Sequence, residues 1–192
     1  MNIPLNEKAI WDFLYAKTNN AYGTAALMGN LFAESSLNPI NATGNKSGLT
    51  NEQYTAITDE RKNDNFVIDN VAYGLVQWRF HTRKKGLYDL ARQNETSVGN
   101  LRTQLEYLWK ELQSYKTAFN AVCTATDIRT ASDIVMLKYE KPGNTSEAAK
   151  RKRAEYGQKY FDMFAEKKDT LKVSKTKLTT AKNIIGGFLN KK

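Results

Sequence analysis

Cysteine, histidine, proline and long apolar runs are scarce in this chain, and each scarcity removes a class of function. Among 192 residues there are one Cys, one His and three Pro. Cys123, alone in FNAVCTAT, makes neither an internal disulfide nor a thiolate-rich zinc site. With apolar neighbours it reads as a small buried hydrophobe. His81 stands in the polar stretch RFHTRKK, a poor setting for a Ser/His/Asp or Cys/His hydrolase. One histidine cannot build a His-ligated catalytic zinc, so neither metal nor cofactor is expected. No apolar run reaches the roughly 18 residues that a membrane-spanning helix needs. The opening MNIPLNEKAIW lacks a basic stretch followed by an apolar core, so we expect no signal peptide and synthesis in a cytoplasm.

Acidic residues are also in deficit, and the deficit is local. The net charge is +9, yet residues 1–166 hold 21 basic and 19 acidic residues, while residues 167–192 hold eight lysines and one aspartate. The body is nearly neutral and the end of the chain is the cation. The expected organisation is one domain over 1–166, long enough for a sizeable core, and a basic tail over 167–192. The body shows no aromatic platform within a basic groove, so no nucleic-acid partner is expected.

What the body does contain is helical periodicity. Asn6 is placed to cap EKAIWDFLYAKT, with Ile10, Trp11, Leu14 and Tyr15 as its apolar stripe. ALMGNLFAESSLNP reads as a helix carrying Ala26, Leu27, Leu31 and Phe32 and stopped by Pro39. LRTQLEYLWKELQ puts Leu101, Leu105, Leu108, Trp109 and Leu112 on one face. ASDIVMLKY reads as a buried helix, and Ser146 opens another in which Tyr156, Tyr160, Phe161 and Phe164 repeat at three-to-four spacing. Between Pro39 and Tyr73 the pattern breaks into Asn- and Gly-rich turns, a short helix in LTNEQYTAITDE and an irregular RKNDNFVID. One or two short strands are expected within 64–79. The fold class is mainly α, with at most a very short β element.

Two stretches carry chemistry. Glu34 falls in the last turn of its helix, beside Leu31, Phe32 and Leu37. Burial and the negative helix end both favour a neutral carboxylic acid there. A neutral acid is what protonates a leaving sugar oxygen; the bland reading is a glutamate that ends a helix and points to water. VAYGLVQW then groups Tyr73, Gly74, Gln77 and Trp78. Gly74 lets a backbone pass close to a ligand. Gln77 offers a donor and an acceptor to an acetamido group. Tyr73 and Trp78 offer ring faces to sugars, or else sit in the core of a buried turn.

GNLFAESSLNP, NFVIDNVAYGLVQW, RKKGLYDLA, QLEYLWKEL and YEKPGNTSEAAKRKRAEYGQKYFDMF, in that order, resemble the phage tail-type lysozymes. The paired signatures Glu-Ser-x-x-Asn-Pro and Tyr-Gly-Leu-x-Gln-Trp also echo goose-type lysozymes and lytic transglycosylases. The resemblance implies a lysozyme-like helical fold, a saccharide cleft and a peptidoglycan-cleaving glycoside hydrolase, an N-acetylmuramidase with Glu34 as general acid. It places Ser35, Tyr73 and Gln77 along the cleft; Asn38, Gly74 and Trp78, in the same two motifs, join them as substrate-binding candidates.

A second carboxylate is harder to choose. Glycoside hydrolysis usually takes two, and the nearest acids after Glu34 are Glu52, Asp59, Glu60, Asp64 and Asp69. Asp69 is favoured because it leads into the cleft turn; an Asx-turn holding that loop is the alternative. Without a second acid, a muramyl 6-hydroxyl attacks and the enzyme is a lytic transglycosylase; a non-catalytic glycan-binding tail protein is the other class. Glu140, in YEKPG, reads as a structural acid bridged to a Lys or Arg of the following helix. The tail LKVSKTKLTTAKNIIGGFLNKK reads as an arm for anionic cell-wall polymers or a membrane surface, a self-association helix, or a solvated end. The resemblance implies action on the wall after holin-type release from a host cytoplasm, or from within a virion.

Overall fold

The computed structural model describes residues 5–61 and 65–165. The readings of the tail at 167–192, of its boundary at 166/167 and of Asp64 as a candidate acid lie outside the described residues. Within them the fold is mainly α, as the periodicity predicts, with one sheet of two very short strands.

Helix α1 (Leu5–Thr18) is already helical at Leu5, so Asn6 sits inside its first turn and is not the cap expected from the sequence. Helix α2 (Ala21–Ser35) starts where the Asn20 side chain accepts the Gly23 N–H at 2.9 Å. It is buried along most of its length and packs against α1, α6 (Lys116–Cys123) and α7 (Ile128–Val135). Helix α3 (Asn51–Asp59) opens with a reciprocal Thr50–Gln53 capping box. Helices α4 (His81–Gln93) and α5 (Leu101–Leu112) follow the long polar insertion between Pro39 and Tyr73. A single π-helical turn, Met136–Glu140, continues α7, and α8 spans residues 147–165. The Ser146 hydroxyl accepts the Ala149 N–H at 3.3 Å, the N-cap that the sequence indicates.

Strand β1 (Ala42–Thr43) pairs antiparallel with β2 (Ala72–Tyr73), Ala42 opposite Tyr73. Only β2 falls in the window where strands are expected. Two residues are too few to show alternation, so β1 leaves no periodic trace in its Asn-rich turn. Trp11, Leu14, Leu27, Met28, Leu31, Trp78, Tyr139 and Tyr160 are fully buried in one core. Where α8 crosses α2, a Cβ on Gly29 would lie 2.3 Å from the Arg153 carbonyl oxygen. Only glycine lets these backbones meet, and the contact brings the Arg153 side chain to the C-terminal half of α2. Among the described residues no helix is long and apolar enough to cross a membrane.

Burial, the largest influence in each case, pushes the phenols of Tyr73, Tyr107, Tyr139 and Tyr160 above their ordinary range. The folded state therefore holds these protons more tightly than the unfolded chain. Their contribution to stability is complete below about pH 10, the ordinary tyrosine value, and is lost as pH rises beyond it. Lys84 opposes the trend, because burial lowers its pKa; its unfavourable contribution is relieved as pH climbs toward the ordinary lysine value. Cys123, also raised by burial, adds to the tyrosine trend, so we expect the unfolding free energy, and with it the urea midpoint, to fall between about pH 10 and pH 12, the free energy by up to about 1.4 kcal/mol per pH unit for each tyrosine. Tyrosinate absorbance should rise together with unfolding; a level midpoint over that interval would contradict the assignment.

Candidate active site

Helix α2 ends on two consecutive left-handed residues, Ser36 (φ 54°) and Leu37 (φ 60°). The Ser36 N–H bonds the Phe32 carbonyl at 2.8 Å. Neither residue is glycine, and each such conformation costs on the order of 1 kcal/mol. The bend carries the chain from Glu34 to the turn built by Asn38, whose Oδ1 accepts the Ile40 N–H at 3.1 Å. Ser35 is 2% exposed, and its hydroxyl lies 2.9 Å from the Leu75 carbonyl and 3.2 Å from that of Leu31. It clamps the helix end to the following motif and does not face solvent.

Glu34 keeps 19% of its side chain exposed, and its Oε1 accepts a hydrogen bond from Arg153 Nη2 at 2.6 Å. Arg153 Nη1 also reaches Asn30 Oδ1 at 3.1 Å, and Asn30 donates to the Ser132 hydroxyl at 3.0 Å. The sequence reading treats Glu34 as an acid governed by burial and the helix dipole alone. The Gly29 crossing adds a guanidinium that pairs with it. Glu140 differs from expectation in the complementary way. Arg153, in the following helix, bonds Glu34, while Glu140 Oε1 is buried with no hydrogen-bond partner. Burial, and after it the charge of Glu34, holds the Glu140 carboxyl well above the ordinary range, against the pull of Arg83 and Arg153.

The second motif forms a tight turn stacked on the first. Gly74 has φ +76°, and a Cβ there would lie 2.6 Å from Gln104 Oε1. What approaches this glycine is a protein side chain. Tyr73 and Trp78 are both 0% exposed, so neither ring presents the open face expected for sugar stacking. The Tyr73 hydroxyl lies 2.7 Å from that of Thr55, and its ring packs on Tyr54 and Phe66. Gln77, left-handed at φ 52°, remains half-buried; its Nε2 donates to the Asn41 and Gly74 carbonyls at 3.1 and 3.0 Å.

Two residues of α5 that sequence reasoning passed over hold these turns in place. Gln104, fully buried, donates to the carbonyls of Pro39 (2.6 Å) and Val98 (2.7 Å) and accepts the Leu75 N–H at 2.9 Å. Glu111 Oε2 accepts from Trp78 Nε1 at 2.9 Å, Tyr139 OH at 2.7 Å and Arg83 Nη2 at 2.7 Å; its Oε1 accepts Arg83 Nε at 2.7 Å. The signal was available. Gln104 and Glu111 share a helical face with Leu108, so each is a polar residue placed on an apolar stripe.

Asp69 belongs to a separate cluster. Its Oδ1 accepts the Val71 N–H at 2.9 Å, the Asx-turn that the sequence reading offers as its alternative role, and Lys84 Nζ at 2.6 Å. Its Oδ2 accepts the Tyr54 hydroxyl at 2.5 Å. Lys84 is fully buried and lies 4.2 Å from the Phe66 ring centroid. Asp69 borders a cavity of about 600 Å³ that the insertion encloses with Asn45, Ser47, Leu49 and Arg79; Glu34 does not line it. Asp59 is engaged by Arg92 and the Val98 N–H, and Glu52 and Glu60 are exposed. His81 is exposed at the start of α4. Cys123 is half-buried, and burial raises its thiol pKa, opposite to what a nucleophilic cysteine needs.

The family described as phage tail lysozyme matches residues 5–164. No curated protein matches the chain significantly.

Removing the Glu111 carboxylate strands four donor groups of three residues in a buried site. We expect Glu111→Leu to cost about 3–5 kcal/mol in urea unfolding, the usual result of breaking a buried ion pair from one side. Adding Arg83→Met should recover part of that loss. A single-variant cost under about 1 kcal/mol, the range of an exposed pair, would remove Glu111 from its place at the centre of the site.

Proposed function

This chain belongs to the phage tail lysozyme family, and from that premise we propose that it is a peptidoglycan glycosidase of N-acetylmuramidase type in which Glu34 is the general acid. The family supports a peptidoglycan-lytic, phage lysozyme-like function; the bond and the acid are our reading. The observation that carries it is the joint between the two motifs. Glu34 ends its helix one residue before Ser35, whose hydroxyl lies 2.9 Å from Leu75 of the Tyr-Gly-Leu-x-Gln-Trp turn. One carboxyl with partial solvent access is thus held on a seam between two turns anchored by the buried Ser35, Tyr73, Leu75 and Trp78.

In this reading Glu34 gives its proton to the glycosidic oxygen as the bond to the anomeric carbon breaks. Arg153 keeps the carboxylate that remains in position. Ser35, Asn38, Tyr73, Gly74 and Trp78 shape the seam from behind, and Gln77, half-buried, is the residue of that turn best placed to meet an acetamido group. Asp69 anchors the insertion: the Val71 N–H, Lys84 and Tyr54 already occupy its oxygens. That engagement favours lytic transglycosylase chemistry as the second reading, because Asp69 has little capacity left to activate water. The protein acts on the cell wall from a virion or after holin-type release.

Glu34→Gln should lower the release of fragments from purified peptidoglycan by about 10²–10⁴-fold, the usual contribution of a general acid, with the helical circular dichroism spectrum and wall binding retained. Full activity in that variant would end the assignment. Mass spectrometry of the wild-type fragments separates the two chemistries. Reducible muramic ends mean hydrolysis; ends lighter by one water and resistant to borohydride mean transglycosylation.

A further inference from the structure

The cavity of about 600 Å³ that the insertion encloses has no part in the chemistry at Glu34, which does not line it. Its size lies in the range of small-ligand sites, roughly 300–1,000 Å³. Its wall is mixed. Leu49, Ile57 and Val71 give it an apolar side, and Asn65 and Asn70 bring side-chain amides. Two exposed cations, Lys46 and Arg79, also line it. Among the described residues that line it, Asp69 is the one acid, and that acid is matched by Lys84 Nζ at 2.6 Å and bonded by the Tyr54 hydroxyl. Among the described residues, no hydrogen bond or ion pair engages the side chains of Lys46, Asn65, Asn70 or Arg79. A concave wall whose acid is neutralised and whose cations are uncommitted attracts an anion.

The small sheet joins this cavity to the seam at Glu34. Thr43 and Ala72, paired across the two strands, line the cavity. Two residues further along, the Asn41 carbonyl accepts the Gly74 N–H at 2.9 Å and Gln77 Nε2 at 3.1 Å. Leu75, next to Gly74, is the residue whose carbonyl meets the Ser35 hydroxyl at 2.9 Å. Arg79 makes the connection a second time. It follows Gln77 by two residues, so their Cα atoms are within about 7 Å of each other, yet it belongs to the cavity wall. A glycan that places an acetamido group at Gln77 therefore has the cavity beside it.

We propose that this cavity receives the short peptide that peptidoglycan carries on its muramyl residues, with Arg79 and Lys46 meeting a peptide carboxylate. The idea rests on the chain being a peptidoglycan glycosidase. The peptide branches from the lactyl group of the sugar, so a strand lying along the Gln77 turn projects it sideways. Its carboxylate suits the two free cations, the arginine with a planar pair of donors. Its backbone amides suit Asn65 and Asn70, and small side chains such as alanine suit Leu49, Ile57 and Val71. A bare glycan is uncharged and would leave both cations unused. Seating the peptide also fixes register, because only every second sugar of the strand bears one. The cavity thereby decides which sugar lies over Glu34.

The test is a binding titration of the full chain, labelled with nitrogen-15, against an N-acetylmuramyl dipeptide that ends in a free carboxylate. This probe has no glycosidic bond to cut. The amides of Thr43, Asn45, Ala72 and Arg79 should shift. The same probe ending in a carboxamide should bind about 3- to 10-fold more weakly, the worth of one partly exposed charge-assisted bond. Arg79→Gln should abolish that preference and Lys46→Gln should reduce it; both side chains are exposed, so neither change disturbs the core. Shifts confined to residues 73–78, or equal affinity for carboxylate and carboxamide, would overturn the proposal. So would a poly(glycerol phosphate) that moves the same amides at lower concentration than the muramyl peptide, since the cavity would then belong to an anionic wall polymer. Failure of the wild type to cut glycan strands would instead overturn the glycosidase reading, while the titration still reports what the cavity holds.

Discussion

A carboxylate with four hydrogen bonds is the constraint on which the site depends. Glu111 sits on α5 and takes donors from the 73–78 turn, from α4 and from the π-helical turn, at 2.7–2.9 Å. Burying this charge is costly, and an apolar replacement of similar volume is often no less stable. What apolar packing cannot supply is direction. Each donor is held at one distance and angle from one atom, so three segments far apart in sequence meet in a single arrangement. Gln104, two helical turns earlier, does the same for Pro39, Val98 and Leu75. Helix α5 thereby sets the separation between the turn after Glu34 and the turn that faces it.

The acid itself is positioned from the other side of the molecule. Helix α2 brings Glu34 to the seam, and the dipole at its C-terminal end opposes the charge. The compensation comes from 119 residues away, in Arg153, and depends on a glycine. Without close approach at Gly29, the Arg153 backbone could not sit where it does. Asn30, fully buried, ties the same arginine to α7 through Ser132. Local propensity gives the helix end, and long-range packing decides what the carboxylate on it experiences.

That division also governs how much was legible in the sequence. The stripes of α1, α2, α5 and α8 were readable because burial on one face of a helix imposes a period of 3.6 residues. The helix-ending position of Glu34 and the Ser146 cap were readable for the same local reasons. The pairing of Arg153 with Glu34 was not, since nothing in a linear pattern says which cation of a basic helix crosses which glycine. Tyr73 and Trp78 invite a reading as sugar platforms, yet a ring in a tight turn can face either way, and here both face the core. Lys84 was hidden more deeply. A lysine next to Lys85 in a charged helix start looks solvated, but it shares the face of Leu87 and Ala91 and is buried with them. The π-helical turn was invisible, because one extra residue in a helix end does not disturb the apolar period.

Asp69 and Glu140 make the last point by contrast. Both are acids beside aromatic side chains; the sequence suggests Asp69 as a second working acid and Glu140 as a structural one. Asp69 has a lysine, a tyrosine hydroxyl and a backbone N–H on its two oxygens. Those bonds hold the insertion to α4. Glu140 has an oxygen that bonds to nothing, and the arginines near it are engaged elsewhere. Burial, the largest influence, holds that carboxyl well above the ordinary range, and no bond at that oxygen depends on its proton. A fully engaged carboxylate holds a structure still; a buried carboxyl oxygen that bonds to nothing fixes no neighbour, and burial favours its neutral form.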